Sequence, residues 1–117
     1  STKIGVLYFG STSPAMDEAL DLLGEDGRHL NAMRLRAFPF PESVRNFILE
    51  HDMVFLVEQN RDGQMHTMMI SELGIDPARV VAVLHYDGTP ITGRFIAGAI
   101  GTKMEELKVV SLERAVS

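Results

Sequence analysis

The chain contains no cysteine and no tryptophan, and only two tyrosines and six phenylalanines among its 117 residues. Without cysteine it cannot form disulfides, ligate an iron–sulfur cluster or use a thiol in catalysis. No apolar run approaches the roughly 20 residues that a membrane-spanning helix needs. Any disulfide, iron–sulfur or thiol redox centre must therefore come from elsewhere.

Positive charge is also scarce, with 11 lysines and arginines against 16 aspartates and glutamates, for a net charge of -5. The basic residues are scattered, so the sequence offers no basic patch of the kind that binds nucleic acid. It shows no signal peptide, which favours a cytoplasmic location. We therefore expect neither a nucleic-acid partner nor a membrane partner.

What is present is the composition of an ordinary globular domain, with 45% hydrophobic and 23% charged residues. A chain of 117 residues can bury one core but not two. We expect a single domain over residues 1–117. Residues 102–117 form a C-terminal tail whose structure the pattern does not assign, although Leu107–Leu112 is weakly helical or strand-like.

Four segments have strand patterns. Lys3–Phe9 and Met53–Val57 are apolar on both faces, which is typical of strands buried inside a parallel sheet. Leu30–Phe38 alternates, with two arginines on one face, and so belongs nearer an edge. Arg79–His85 is the fourth strand. A helical pattern follows each of the four, which predicts an α/β domain.

The first two helices are marked by their capping residues. Ser13 is the predicted N-cap of the first helix, Pro14 suits its first position, and Gly24 is predicted to end it. The second helix is predicted to start at Pro39–Pro41 and to continue to about His51.

The third helix is predicted from Asp62 or Gly63 to Leu73, with a methionine-rich buried face formed by Met65, Met68, Met69 and Leu73. The fourth is predicted over Ile91–Ile100, with Thr89 as its N-cap. Its glycines predict close packing against another element, and they are Gly93, Gly98 and Gly101.

The strand patterns also order the sheet. With the two doubly apolar strands inside, the fold is a three-layer α/β/α, doubly wound parallel sheet of strand order 2-1-3-4, built with right-handed crossovers. The switch point lies between the first and third strands. Gly10–Ser13 and Glu58–Gln64 therefore face each other across one crevice.

Four strings of sequence resemble a known family. They are VLYFGSTSPAMDEALDLL at Val6–Leu23, LRAFPFP at Leu35–Pro41, VFLVEQNRDGQM at Val54–Met65 and LHYDGTPITGRFI at Leu84–Ile96. Together they resemble the second core domain of the alpha subunit of 2-oxoacid:ferredoxin oxidoreductases, particularly the 2-oxoglutarate type. The resemblance covers about residues 3–100 and implies a fold like the C-terminal domain of transketolase.

The resemblance also implies a larger assembly, of which this chain is one piece. In that family a preceding N-terminal domain of the alpha subunit faces the pyrimidine of thiamine diphosphate. A separate beta subunit holds the diphosphate, its magnesium ion and an Fe–S cluster, and ferredoxin and coenzyme A react with the full complex. The cofactor motifs are absent here, so we expect an inactive interface domain that binds none of these cofactors itself.

Polar residues at the ends of the third and fourth strands are candidates for an interface or a ligand contact. They are Glu58, Gln59, Asn60, Arg61, Asp62, Gln64, Asp87 and Thr89, with Arg94 on the last helix. For an isolated domain, the favoured alternative is a purely structural turn whose polar groups bond to one another, with Asp62 capping the third helix and Arg61 paired with Glu58. The family resemblance favours contact with a neighbouring domain or subunit. None of these residues is expected to be catalytic.

A second candidate is an anion-binding loop at Gly10, Ser11, Thr12 and Ser13, before the first helix. Simple capping is the favoured interpretation, and an independent flavodoxin-like, phosphate- or small-molecule-binding domain is the alternative. That alternative lacks aromatic residues to flank a flavin, because only Tyr8 and Tyr86 are available besides the phenylalanines. A metal site at His85 and Asp87, with His66 or Glu58, lacks the usual ligand spacing, so no metal is expected.

Overall fold

The computed structural model describes residues 3–9, 12–36, 41–59, 63–85 and 91–116, except for the side chains of Ser13 and residues 108–116. Strands and helices alternate along these residues as β1 (Ile4–Phe9), α1 (Ser13–Glu25), β2 (Asn31–Leu35), α2 (Glu42–Leu49), β3 (Met53–Glu58), α3 (Gln64–Leu73), β4 (Val80–Leu84) and α4 (Gly93–Val116). A short 3-10 turn, Pro77–Arg79, leads into β4. The alternation confirms the α/β class.

The four strands form one parallel sheet in the order β2-β1-β3-β4. β3 lies inside the sheet and is almost wholly buried, whereas β2 lies at an edge and is largely exposed. This confirms the order predicted from the apolar patterns. The carboxyl ends of β1 and β3 consequently lie side by side, at the switch point of the sheet.

Helices cover both faces of the sheet, each pair over its own apolar core. Alternate residues of β3 point to opposite faces, so Phe55 and Val57 join one core and Val54 and Leu56 join the other. The first core receives Met16, Ala19 and Leu23 from α1 and Ile96 and Ile100 from α4. The second receives Val44 and Ile48 from α2 and Met69 from α3. The layers are therefore α1/α4, sheet, and α2/α3.

Helix α1 begins and ends differently from the prediction. Thr12, not Ser13, occupies the N-cap position, and its side chain makes no capping hydrogen bond. Gly24 remains helical, and the chain turns at Gly27, whose φ of 78° lies in the left-handed region that favours glycine. The Arg28 N–H then donates to the carbonyl of Leu23 at 2.8 Å. The prediction that Gly24 ends α1 was therefore wrong, and Gly27 carries the turn.

The α2 and α3 helices end against arginines from elsewhere in the chain. Arg79 donates to the carbonyls of Ile48, Leu49 and His51 at 3.2–3.5 Å, and α2 ends at Leu49 rather than at His51. Arg45 donates to the carbonyl of Leu73, the last residue of α3. A guanidinium at a helix C-terminus pairs with carbonyls that lack intrahelical partners and complements the helix dipole.

The methionine face of α3 is only partly as predicted. Met69 is buried and Met65 packs against the same core, but Met68 is 38% exposed and points away from it. In a helix, positions 65 and 69 share a face whereas position 68 is rotated from position 69 by about 100°. The buried stripe of α3 is therefore narrower than predicted.

Helix α4 starts later and runs further than predicted. Its N-terminal cap is Thr92, whose hydroxyl accepts from the Phe95 N–H at 3.1 Å, whereas the predicted cap, Thr89, lies outside the described residues. The helix continues through the tail to Val116. Gly101 does not stop it, because that residue packs beside the guanidinium of Arg28, which also pairs with Glu105. Helix α4 therefore continues past Gly101, the residue at which the sequence pattern predicted that it would already have ended.

The three α4 glycines do not share one role. A Cβ at Gly93 would lie 2.5 Å from the Glu18 Cβ on α1, an atom fixed to its backbone. A Cβ at Gly98 would meet no atom within 4 Å. Close packing is thus required at Gly93 and occurs at Gly101, whereas the prediction was wrong for Gly98.

This difference gives a matched test within one helix. We expect Gly93→Ala to destabilise the fold by about 1–3 kcal/mol, because α1 and α4 must move apart. Gly98→Ala should raise stability by up to about 1 kcal/mol, since alanine favours the helix and meets open space. Urea unfolding of both variants measures the two free energies. Equal shifts of the same sign would contradict the α1–α4 contact at Gly93.

Candidate functional site

The candidate site is the carboxyl edge of the sheet, where β1 and β3 end beside the starts of α1 and α3. Of the residues predicted to meet there, Glu58, Gln59, Thr12 and Gln64 are described with their side chains, and Ser13 only by its backbone. Seven other candidates lie outside the described residues, namely Gly10, Ser11, Asn60, Arg61, Asp62, Asp87 and Thr89.

Glu58 is the last residue of β3 rather than the first residue of a turn, and its side chain is 1% exposed. One carboxylate oxygen accepts from the Met65 N–H at 2.8 Å and the other from the His66 N–H at 3.1 Å. These N–H groups belong to the first turn of α3, where the helix has no internal acceptors and its dipole favours negative charge. The Glu58 carboxylate thus occupies the position at the start of α3 where an anionic ligand would otherwise bind.

The start of α3 is shaped around this carboxylate. Gly63 occupies the N-cap position with a φ of 62°, so the acceptor for α3 comes from Glu58 and not from an N-cap side chain. The predicted cap was Asp62, which lies outside the described residues together with Arg61. A Cβ at Gly63 would lie 3.9 Å from a Glu58 carboxylate oxygen, and the left-handed backbone would strain any other residue there.

Gln59 joins the ends of β3 and β1. Its amide nitrogen donates to the Thr12 hydroxyl at 3.0 Å, and Thr12 is buried at the start of α1. The Thr12 hydroxyl therefore serves a contact between two loops and makes no capping bond to α1. Of the predicted anion-loop residues, this is the one whose side chain is described, and it faces protein.

At the end of β4, His85 is buried and its ring packs edge-on against Phe95, with centroids 4.7 Å apart. The His85 N–H donates to the Glu58 carbonyl at 2.9 Å, which ties the end of β4 to the end of β3. Arg94 is exposed on the first turn of α4, beside Phe95. It lies on the helix that follows β4 and not with Glu58 and Gln59 between β1 and β3.

Two histidines, His66 and His51, make structural hydrogen bonds that the sequence did not predict. His66 pairs through Nε2 with the Val80 carbonyl at 2.6 Å, which joins α3 to β4. His51 is buried and bonds the Phe47 carbonyl through Nδ1 at 2.6 Å and the Asn31 amide nitrogen through Nε2 at 3.0 Å. A carbonyl can only accept, so Nδ1 of His51 donates to the Phe47 carbonyl. Such long-range partners have no signature in sequence spacing.

Metal-ligand chemistry is sparse among the described residues. They contain no cluster of three or more histidine, aspartate or glutamate side chains able to hold an ion. Glu58 and His66, two members of the imagined metal set, are engaged by backbone groups. Within the described ranges no helix combines the length and apolar character needed to span a bilayer.

Comparisons with known proteins give no match among family models and no significant match among curated proteins. Solved structures do match, and two of them show what the chain resembles. One is the 2-oxoglutarate:ferredoxin oxidoreductase from Magnetococcus marinus with 2-oxoglutarate, coenzyme A and succinyl-CoA bound, with a TM-score of 0.74 and 23% identity over 87% of this chain. This chain spans only 18% of that one.

The second is the alpha chain of a probable 2-oxoacid ferredoxin oxidoreductase from Thermoplasma acidophilum. Its TM-score is 0.57, its identity to this chain is 27%, and the match covers 90% of each chain. The first similarity establishes the fold. The second adds 27% sequence identity over 90% of both chains.

Proposed function

We propose that this chain, whose sequence and fold are similar to those of 2-oxoacid:ferredoxin oxidoreductases, is a non-catalytic interface domain of the alpha subunit of such an enzyme, of the 2-oxoglutarate type. The whole enzyme would use thiamine diphosphate to decarboxylate a 2-oxoacid oxidatively, forming an acyl-CoA and reducing ferredoxin. The observation that carries this proposal is the match to the Thermoplasma acidophilum alpha chain over 90% of both chains.

A non-catalytic role is supported by how the polar side chains at the carboxyl edge are used. Both oxygens of Glu58 accept from α3, and Gln59 bonds Thr12. General acid–base catalysis needs a group that can reach a substrate proton. The described residues offer no free carboxylate at the crevice, and their hydrogen bonds stiffen the edge as a platform instead.

The start of α3 does not fit the diphosphate of the whole enzyme's cofactor. A diphosphate needs unpaired helix N–H groups or cations, but the N–H groups of Met65 and His66, in the first turn of α3, already bind Glu58. The chain has no cysteine for a cluster. In the proposed assembly, thiamine diphosphate, magnesium and the Fe–S cluster are therefore held by the N-terminal domain of the alpha subunit and the beta subunit, and ferredoxin and coenzyme A act on the complex.

Reconstitution tests the proposal. We expect an alpha subunit containing this chain, co-expressed with the beta subunit, to reduce ferredoxin in the presence of 2-oxoglutarate, coenzyme A and thiamine diphosphate. A complex whose alpha subunit lacks residues 3–116 should lose assembly or activity. The chain alone should be inactive and should show no tight, magnesium-dependent binding of thiamine diphosphate in calorimetry.

Two outcomes would overturn the proposal. One is full activity of the complex without residues 3–116. The other is ligand binding by the chain alone, either of thiamine diphosphate or of a flavin, which yellow absorbance of the purified protein would reveal. Flavin binding would favour the independent flavodoxin-like domain.

A further inference from the structure

β4 is the last strand of the sheet, and no described strand pairs with its outer edge. The His85 N–H donates to the Glu58 carbonyl, so the residues at positions 81, 83 and 85 direct their backbone groups toward β3. Alternate residues of a strand direct these groups in opposite senses. Val80, Ala82 and Leu84 therefore direct theirs away from the sheet.

His66 closes one end of this edge. Its Nε2 bonds the Val80 carbonyl, which is the first of the outward-facing groups. No such cap reaches Ala82 or Leu84 from any other described residue. The open edge consequently begins at Ala82 and offers two N–H donors and two carbonyl acceptors, the pattern that an added strand pairs with.

A groove of about 510 Å³ runs beside these groups, between β4 and α4. Its floor is apolar, and Phe95 stands in its wall with 38% of its surface exposed. Gly98 leaves the groove open, since a side chain there would meet nothing within 4 Å. The groove thus provides space for side chains of a strand laid along β4.

Charge decides which strand fits. The charged residues that line the groove are Arg94 and Lys103, with no carboxylate among the lining residues, although Lys103 also pairs with Glu106 at 3.5 Å. A second copy adding its own β4 would bring the same two cations against them. A copy adding β2 would bring Arg34, exposed on that edge. Both modes of self-association are disfavoured, whereas a segment carrying carboxylates is favoured.

We propose that the β4 edge, from Ala82 to Leu84, binds an extended acidic segment of a partner polypeptide as a fifth strand of the sheet. Backbone pairing to Ala82 and Leu84 would supply affinity, Phe95 an apolar contact, and Arg94 and Lys103 the preference for carboxylates. This surface is separate from the crevice between β1 and β3. The inference goes beyond the proposed function and does not depend on the chain serving an oxidoreductase.

Two synthetic peptides test the inference on the purified chain. Both are eight residues long with alternating valine and threonine at the centre, and they differ in carrying glutamates or lysines at their ends. We expect the glutamate peptide to bind at least about tenfold more tightly, with a preference that weakens as salt is added. Amide hydrogen exchange should slow at Ala82 and Leu84 when it binds.

Ala82→Pro supplies the matched variant. It removes an outward N–H without removing a bond to β3, so the thermal midpoint should change little while peptide binding is lost. Arg94→Glu should erase the preference between the peptides. Equal binding of both peptides, absence of binding, binding that survives Ala82→Pro, or concentration-dependent dimerisation that protects Ala82 would each overturn the inference.

Discussion

Replacing Val57 with aspartate should abolish cooperative folding or lower the free energy of unfolding by more than about 4 kcal/mol. Val57 is 1% exposed on an interior strand and packs in the core beneath α1 and α4. A carboxylate there would lose its hydration with no cation or donor to replace it. Because whole domains are stable by only about 5–15 kcal/mol, this single change consumes a large fraction of the total.

Ala32→Asp is the matched control, since it places the same carboxylate at an exposed position on the edge strand β2. Its cost should be about 1 kcal/mol or less. If Val57→Asp proves insoluble, Val57→Thr keeps the shape and buries only a hydroxyl, at about 1–3 kcal/mol. Urea unfolding gives each value. If Val57→Thr and Ala32→Asp lowered the free energy of unfolding by similar amounts, the assignment of β3 to the interior of the sheet would be contradicted.

The interior position of Val57 was predictable because a strand buried on both faces must be apolar on both faces. β1 and β3 meet that condition and β2, with its exposed arginine, does not. The strand order follows from this contrast and from the handedness of the crossovers. The apolar pattern of each strand is visible within a few consecutive residues, so a single sequence is enough to predict the strand order.

Helix ends were less predictable, because contacts between distant segments decide them. Gly24 was predicted to end α1, but the turn falls at Gly27, which the structure holds in the left-handed conformation. Gly101 also looks like a helix terminator, but the guanidinium of Arg28, from the turn after α1, packs beside it and pairs with Glu105 further along α4. Residues 77 positions apart leave no periodic signal.

The candidate site shows the same limit. A run of polar residues after a strand suggests a turn that meets a partner, and Gln59 is indeed exposed at that edge. Glu58, the first of the run, is instead buried in the strand and bonds a helix that begins six residues later. The sequence does not distinguish a glutamate that accepts hydrogen bonds from the start of the next helix from a glutamate that faces solvent.

The position of Glu58 leads to the second large expected effect. Glu58→Gln should lower the free energy of unfolding by about 1–3 kcal/mol, because the new amide places an N–H₂ donor against one of the two helix N–H donors. Glu58→Ala should cost more, about 3 kcal/mol or above, since it leaves both N–H groups without an acceptor and removes a negative charge from the start of α3. Urea unfolding of the two variants measures these losses.

Glu72→Gln is the control, because it makes the same chemical change at an exposed position near the other end of α3. It should stay within about 0.5 kcal/mol of the parent. Hydrogen exchange at the Met65 and His66 amides should accelerate in Glu58→Gln and remain unchanged in Glu72→Gln, since only Glu58 accepts from them. If Glu58→Gln matched Glu72→Gln in both measurements, the carboxylate would be free at the carboxyl edge, and its direct use in an interface would again be open.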